Sequence, residues 1–309
     1  MELFHNIPHI HFMNKRHIMA TLSLVAFALS LFFIFTKGIN FGLDFTGGTQ
    51  LEIHFSKPYE SEKLHAILEK GGFKNPKITH FGSAQDVSIR LINRPGVSEA
   101  QLGKQVLQVL QVSDPNLELK RIEFVGSEVG EYLIEQGLLA MVVSFGAIML
   151  YVALRFEYRF AVSAVLALLH DPILILGIFA AFGIEFDLAT LAAILAVIGY
   201  SLNDTIVVFD RVRENFRKIR KGSASEIMDL SINQTLSRTI MTSVLTLLVV
   251  VALFIFGGET LHGFSTALII GIIVGTYSSI FIAGALAITM GLSKNDWVVI
   301  PKKEVEELP

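Results

Sequence analysis

Six apolar stretches, each long enough to cross about 30 Å of hydrocarbon, constrain this chain more than anything else in its sequence. They fall at residues 17–36, 134–154, 160–182, 187–209, 237–256 and 264–291. Only 17% of the 309 residues are charged, against about a quarter in a soluble domain. The chain therefore reads as a polytopic α-helical membrane protein. The first run is too long for the apolar core of a secretory leader, and the residues after it lack a small-x-small cleavage pattern, so it is read as a retained anchor.

Basic residues set the orientation. Lys15 and Arg16 precede the first span, Arg155 and Arg159 separate the second and third, and Arg211, Arg213, Arg217, Lys218, Arg220 and Lys221 follow the fourth. Lys294, Lys302 and Lys303 follow the sixth, whereas the alternate short loops 183–186 and 257–263 hold no Lys or Arg. This pattern predicts a cytoplasmic N-terminal segment 1–16, a cytoplasmic loop 210–236 and a cytoplasmic C-terminal segment 292–309. Segment 37–133 then lies on the outer side. The basic run Arg211–Lys221 has two readings: a stop signal for membrane insertion, or a surface for anionic lipid or a cytoplasmic partner.

Segment 37–133 carries nearly all the soluble-type sequence. Strands are predicted at 49–56, 77–81, 86–92 and 117–125, and helices at 59–71 and 97–112, with Ser98 as an N-cap. The order βαββαβ is that of the α+β ferredoxin-like plan, which hosts many functions and specifies none. His54, His65 and His80 are scattered and form no ligand cluster. The glycine-rich stretch Gly42–Thr49 lacks the Lys-Ser/Thr of a phosphate-binding loop and reads as a tight turn. With no cysteine in the chain, disulfides, thiolate metal sites and thiol nucleophiles are excluded.

The residues that invite a function are polar ones inside the apolar runs. Ser201, Asn203 and Asp204 lie in the fourth span and Arg238 at the start of the fifth. An ionisable group at such depth is costly and marks a partner, a wet cavity or an ion path. At 1.5 Å per residue, Asp204 and Arg238 lie roughly 9 and 13 Å to the cytoplasmic side of their span midpoints, so the two side chains could meet if the fourth and fifth spans are adjacent or line one cavity. Ser201 and Asn203 are expected to hold water or hydrogen-bond the carboxylate. A proton relay and a static ion pair both stay open on these grounds. Asp171, beside His170 and Pro172 in the third span, is read either as another ion-handling group or as support for a proline kink. In the sixth span, Gly271 and Gly275, followed by Ser278, Ser279 and Gly284, form a small-residue face for close packing on another helix, in this chain or a partner.

Several of these stretches form a recognisable set: Phe41-Gly-Leu-Asp-Phe-Thr-Gly-Gly-Thr49, His170-Asp171, Val197-Ile-Gly-Tyr-Ser-Leu-Asn-Asp204, Gln234-Thr-Leu-Ser-Arg238 and Phe256-Gly-Gly258. Through them the chain resembles, along nearly its whole length, the SecF family, part of the resistance–nodulation–division superfamily. Its members are six-span subunits of the SecD–SecF complex of the bacterial Sec translocon. The resemblance implies a multi-pass protein of the bacterial inner membrane with a periplasmic domain between helices 1 and 2. It implies that SecD supplies six further spans, and that the complex draws on the proton-motive force to pull unfolded preprotein outward through the Sec channel and its accessory membrane subunits. Protons would be the coupling ion, with no other cofactor, no metal, no nucleic acid and no enzymatic site. Asp204 and Arg238 match family positions tied to proton conduction, with Ser201, Asn203 and Asp171 as further candidates.

Three rivals remain on the sequence: a stand-alone proton-coupled exporter, a passive scaffold for translocon assembly, and an intramembrane aspartyl protease built on Asp171 and Asp204. The last needs two carboxylates sharing one water, and the depth estimates place them about 9 Å apart.

Overall fold

The structure is a computed structural model that describes residues 7–91, 99–219 and 221–292. Among these residues, six helical segments are long and apolar enough to cross a membrane. Helix α1 spans Arg16–Lys37, α5 Ser127–Arg155, α6 Tyr158–Phe182, α7 Leu188–Lys218 and α8 Ala224–Phe256. The sixth span is composite: α9, His262–Tyr277, passes into a π-helical turn, Ser278–Ala283, and ends as α10, Gly284–Thr289. Helices α6, α7 and α9 form the centre, each with about half of its apolar window buried, while α1, α5 and α8 lie at the periphery. The positions expected at Ser98, Arg220, Lys294, Lys302 and Lys303 lie outside the described residues.

Two helices run well past the hydrocarbon stretches of the sequence. The segment read as a loop, 210–236, is largely helical: α7 continues to Lys218 and α8 starts at Ala224. The reason lies in side chains that keep a helical face past the apolar run. Phe209, Val212 and Phe216 are buried on α7, and Ile227, Met228, Ile232 and Leu236 on α8. A capping box made by Ser223 and Glu226 starts α8 and satisfies backbone donors that would otherwise be orphaned. The extension of α8 also holds the chain before α1. Asp229 Oδ1 accepts from the Met13 amide at 2.8 Å, and Asn233 bonds both the N–H and the C=O of Ile10.

The segment between the first two spans forms a four-stranded antiparallel sheet in the order β3-β4-β2-β5, from strands β2 Gly48–His54, β3 Lys77–Phe81, β4 Ser83–Leu91 and β5 Glu118–Val125. Helices α3, Ser61–Lys70, and α4, Glu99–Gln111, alternate with these strands. Leu51, Ile53, Val87 and Ile89 from the sheet bury against Leu64, Leu68, Leu102, Val106 and Leu110 from the helices. This is the period-2 strand and period-3.6 helix pattern meeting in one core. The turn between β3 and β4 is tighter than expected and centres on Gly82 (φ +60°).

This segment is tied to the helix ends at its entry. Strand β1, Asn40–Phe41, pairs in parallel with β6, Glu185–Phe186, in the turn between α6 and α7. A four-residue helix, α2 (Leu43–Thr46), follows; its Asp44 Oδ2 accepts the Leu188 amide at the start of α7 at 3.0 Å. Phe45 stacks on Phe186 with ring centroids 5.7 Å apart. Gly48 then adopts φ +126°, and a Cβ there would lie 2.6 Å from the Leu91 carbonyl oxygen, so the sharp passage into β2 requires glycine.

In the membrane α7 and α9 approach closely. A Cβ on Gly271 would lie 2.2 Å from a Val197 methyl, and one on Gly275 would lie 3.0 Å from the Ser201 Cβ. The small-residue face of the sixth span therefore packs within the chain, on α7. Gly271→Ala is expected to cost about 1–3 kcal/mol through overpacking, read as a lower thermal midpoint of the purified protein. Adding Val197→Ala should restore much of that loss, and failure of the double variant to recover would place the contact elsewhere.

Asp86 on β4 predicts a pH dependence for the four-stranded sheet. Hydrogen bonds from Lys120, then Ser83, then His54 hold its carboxyl well below the usual range despite burial. A lowered folded value means that the stabilisation is complete above the ordinary aspartate pKa of about 4 and is lost as pH falls through the folded value. Amide protection in β2 and β4, corrected for intrinsic exchange, should decline on acidification. In Asp86→Asn it should be weaker at neutral pH and flat across that window.

Candidate functional site: a hydroxyl and carboxylate seam through the bundle

The π turn places two consecutive serines where an α-helix would turn one of them away. Up to that point α7 and α9 run in parallel register, Val197 beside Gly271 and Ser201 beside Gly275. At the next step Asp204 meets Ser279, one residue further than that register predicts. A π turn adds a residue and widens the helix locally, and such turns recur at functional sites. As a result Ser278 faces α6 while Ser279 faces α7.

Each serine hydrogen-bonds a different buried aspartate. Ser278 Oγ donates to Asp171 Oδ2 at 2.8 Å, and Ser279 Oγ to Asp204 Oδ2 at 3.1 Å. Asp171 is fully buried and also accepts from Ser201 Oγ at 2.5 Å and from His170 Nδ1 at 3.0 Å. With Nδ1 donating, His170 Nε2 is the acceptor for Ser23 Oγ of α1 at 2.5 Å. Asp204, 6% exposed, accepts at its other oxygen from Thr239 Oγ1 of α8 at 2.9 Å. The seam thus joins α1, α6, α7, α8 and the π turn, and each carboxylate has its own hydroxyl donors. Both serines also have a second acceptor, Gly275 O for Ser278 and Thr276 O for Ser279. A hydroxyl carries one proton, so each serine chooses between the carboxylate and its own helix.

Three sequence expectations change in detail. Arg238 makes no ion pair with Asp204: it is exposed on the outside of α8. Helical geometry explains this, because neighbouring residues diverge by about 100°, and Thr239 is the one turned toward α7. Asn203 is exposed for the same reason, being next to Asp204 on α7. Ser201 does hydrogen-bond a carboxylate, but that of Asp171. His170 and Asp171 spend their side chains on Ser23, Ser201, Ser278 and each other, beside Pro172 inside an unbroken α6. Ser23, Thr239 and the bonding role of Ser278 and Ser279 were not anticipated. The signal for the serines was present, since they continue the Gly271–Gly275 stripe at helical spacing.

Fold and seam define a multi-pass membrane protein with buried carboxylates held by hydroxyls from several helices. Residues 105–293 match the family model described as protein export membrane protein SecD/SecF, C-terminal, and residues 32–58 match the SecD/SecF GG motif. The second match covers the Gly47-Gly48 turn. The protein translocase subunit SecF of Vibrio alginolyticus is 51% identical over 298 residues, 96% of this chain and 94% of that protein. The SecF of Haemophilus influenzae is 47% identical over 98% of this chain and 93% of that protein. Among solved structures, the translocon-associated membrane protein SecDF of Thermus thermophilus has a TM-score of 0.81 at 39% identity. That likeness covers 92% of this chain and 39% of the SecDF chain. The chain belongs to the SecF family of protein translocase subunits.

The geometry separates two residues that the sequence had paired. Thr239→Val keeps shape but removes one donor from a buried carboxylate, and is expected to lower stability by about 1–3 kcal/mol. Arg238→Gln, at an exposed position without an ion pair, is expected to change it by under about 0.5 kcal/mol. Chemical or thermal unfolding of the two variants in detergent checks the contrast; equal losses would restore the Asp204–Arg238 pair.

Proposed function

We propose that this chain is the SecF partner of a SecD subunit in the bacterial inner membrane, and that the pair uses the proton-motive force to assist preprotein translocation. The observation that carries this reading is Asp204, buried at membrane depth and contacted by neutral hydroxyls rather than by a cation. A carboxylate held in this way can take up and release a proton without breaking an ion pair, while Thr239 and Ser279 rearrange around it. Ser279 has Thr276 O to turn to when Asp204 carries the proton.

Arg238 and Asn203 give the reading its second half. Both are exposed on helices that lie in hydrocarbon, where an uncovered guanidinium is costly. A partner's helices over this face, with an acidic group opposite Arg238, would relieve that cost. The SecDF chain of similar fold is more than twice as long as the region matched here, which fits a second set of spans supplied by SecD. A stand-alone exporter would need the same cover from a second copy. The protease reading loses support, because the two carboxylates have separate donors.

The remaining parts follow from this assignment. Both termini lie in the cytoplasm and the four-stranded domain in the periplasm. The order β3-β4-β2-β5 with two alternating helices supports the ferredoxin-like plan. One charge crossing 100 mV yields about 2.3 kcal/mol, enough to bias a domain hinge. The attachment of the domain to the α6–α7 turn through β1, β6 and Asp44 offers a direct connection from α7, which carries Asp204, to the domain that would handle preprotein.

The test uses the chain assembled with SecD. Asp204→Asn should assemble normally and lose proton-dependent translocation while keeping the ATP-driven step. Full proton-dependent activity in that variant would overturn the assignment of Asp204.

A further inference from the structure

A charged cleft lies where α5 ends beside the extension of α7. Its volume is 440 Å³, and its lining residues are Arg155, Asp210, Arg213, Glu214, Arg217 and Lys218. Four cations against two carboxylates give the cleft a net positive charge. Its base is built rather than loose. Phe156, 5% exposed, lies under both guanidiniums, with the Arg155 and Arg213 carbons 5.6 and 5.7 Å from the ring centroid. Asp210 bridges the same pair, at 2.7 Å to Arg155 and 3.5 Å to Arg213. Glu214 is engaged by Arg211 at 2.7 Å and Lys218 at 2.5 Å, so both carboxylates already hold cations in place.

Helix ends account for part of this charge, since cations favour helix C-termini, and Arg155 and Lys218 close α5 and α7. Arg213 lies more than a turn inside α7, and its place on the Phe156 ring is not a capping position. What surrounds the cleft is amphiphilic. Leu150, Tyr151 and Leu154 are 62%, 49% and 80% exposed on the last turns of α5, leading from the hydrocarbon to Arg155. Tyr158 is 60% exposed at the start of α6 with Arg159 over its ring, the arrangement of a membrane-interface anchor.

We propose that this cleft binds the phosphate of an anionic membrane lipid, with the acyl chains lying along Leu150, Tyr151 and Leu154. The guanidiniums supply paired donors suited to phosphate oxygens. The apolar strip selects a lipid over a soluble phosphate. Basic pockets at helix ends are a recognised way of holding such headgroups. This site is independent of the Asp204 seam and of its proposed role.

Titration of phosphatidylglycerol into the purified full chain in detergent, with adducts counted by native mass spectrometry, tests the proposal. Arg213→Gln with Arg217→Gln is expected to weaken the first adduct about 25-fold, the worth of two charges near an anionic headgroup. Arg213→Lys with Arg217→Lys, which keep the charge but lose the paired donors, should bind more weakly than the parent and more tightly than the glutamine pair. Lys221→Gln, a nearby basic position outside the cleft lining, should bind as the parent does. Thermal midpoints measured without the lipid separate loss of the site from loss of the fold, and Arg217→Gln alone serves if the double variant unfolds. Unchanged affinity in the glutamine variant, an equal loss in Lys221→Gln, or equal binding of phosphatidylcholine would overturn the site. Equal competition by glycerol 3-phosphate would overturn the lipid as its occupant.

Discussion

Two carboxylates inside a hydrocarbon-spanning bundle must be hydrogen-bonded there, and the close approach of α7 and α9 adds one hydroxyl donor to each. Gly271 and Gly275 bring the helix backbones together at Val197 and Ser201. That approach carries Ser278 and Ser279 into reach of Asp171 and Asp204. Without it each acid would keep one hydroxyl donor, Ser201 for Asp171 and Thr239 for Asp204, and lose the second in a medium where an unsatisfied polar group costs several kcal/mol. The tight packing and the polar seam are therefore one feature. A larger side chain at either glycine would act on the chemistry as well as on stability.

The peripheral helices share a different logic. Most side chains of α1, α5 and α8 face outward, and for leucines and valines this is the normal state of a membrane helix. Arg238 and Asn203 break that pattern. Their exposure follows from the same helical geometry that buries Thr239 and Asp204, so each of these two buried residues has an outward-facing polar neighbour. The inner seam and the proposed partner face are thereby fixed together. The four-stranded sheet connects to this arrangement at the Gly42–Gly48 entry, where β1, Asp44 and Phe45 meet the turn that starts α7, and through Arg90 to Glu185 and Arg121 to Thr260.

Much of the architecture was legible from composition and periodicity. The spans emerged from apolar length because the bilayer imposes a minimum on it, and the outer strands emerged from alternation. The ends of α7 and α8 were less legible, because a basic, amphipathic extension does not register as a membrane segment. The capping box at Ser223 and Glu226 and the buried face of Phe209, Val212 and Phe216 were the available signals. Asp171 and Asp204 stood out through cost alone. Their partners did not, since Ser23, Thr239, Ser278 and Ser279 are ordinary residues in apolar helices until a facing carboxylate gives them a task.

The sequence by itself determined that this chain crosses a membrane, where its four-stranded domain begins, and which ionisable groups lie within the apolar spans. Those properties depend on transfer free energy and local periodicity, which are carried by neighbouring residues. Only the tertiary structure decided which groups meet. Depth along the membrane placed Asp204 level with Arg238, but rotation about the helix axes turned Thr239 toward Asp204 and Arg238 away. The π turn moved Ser279 by one residue into the place beside Asp204. Rotation and register depend on how helices distant in sequence pack, and on glycines whose effect is felt only by the helix opposite.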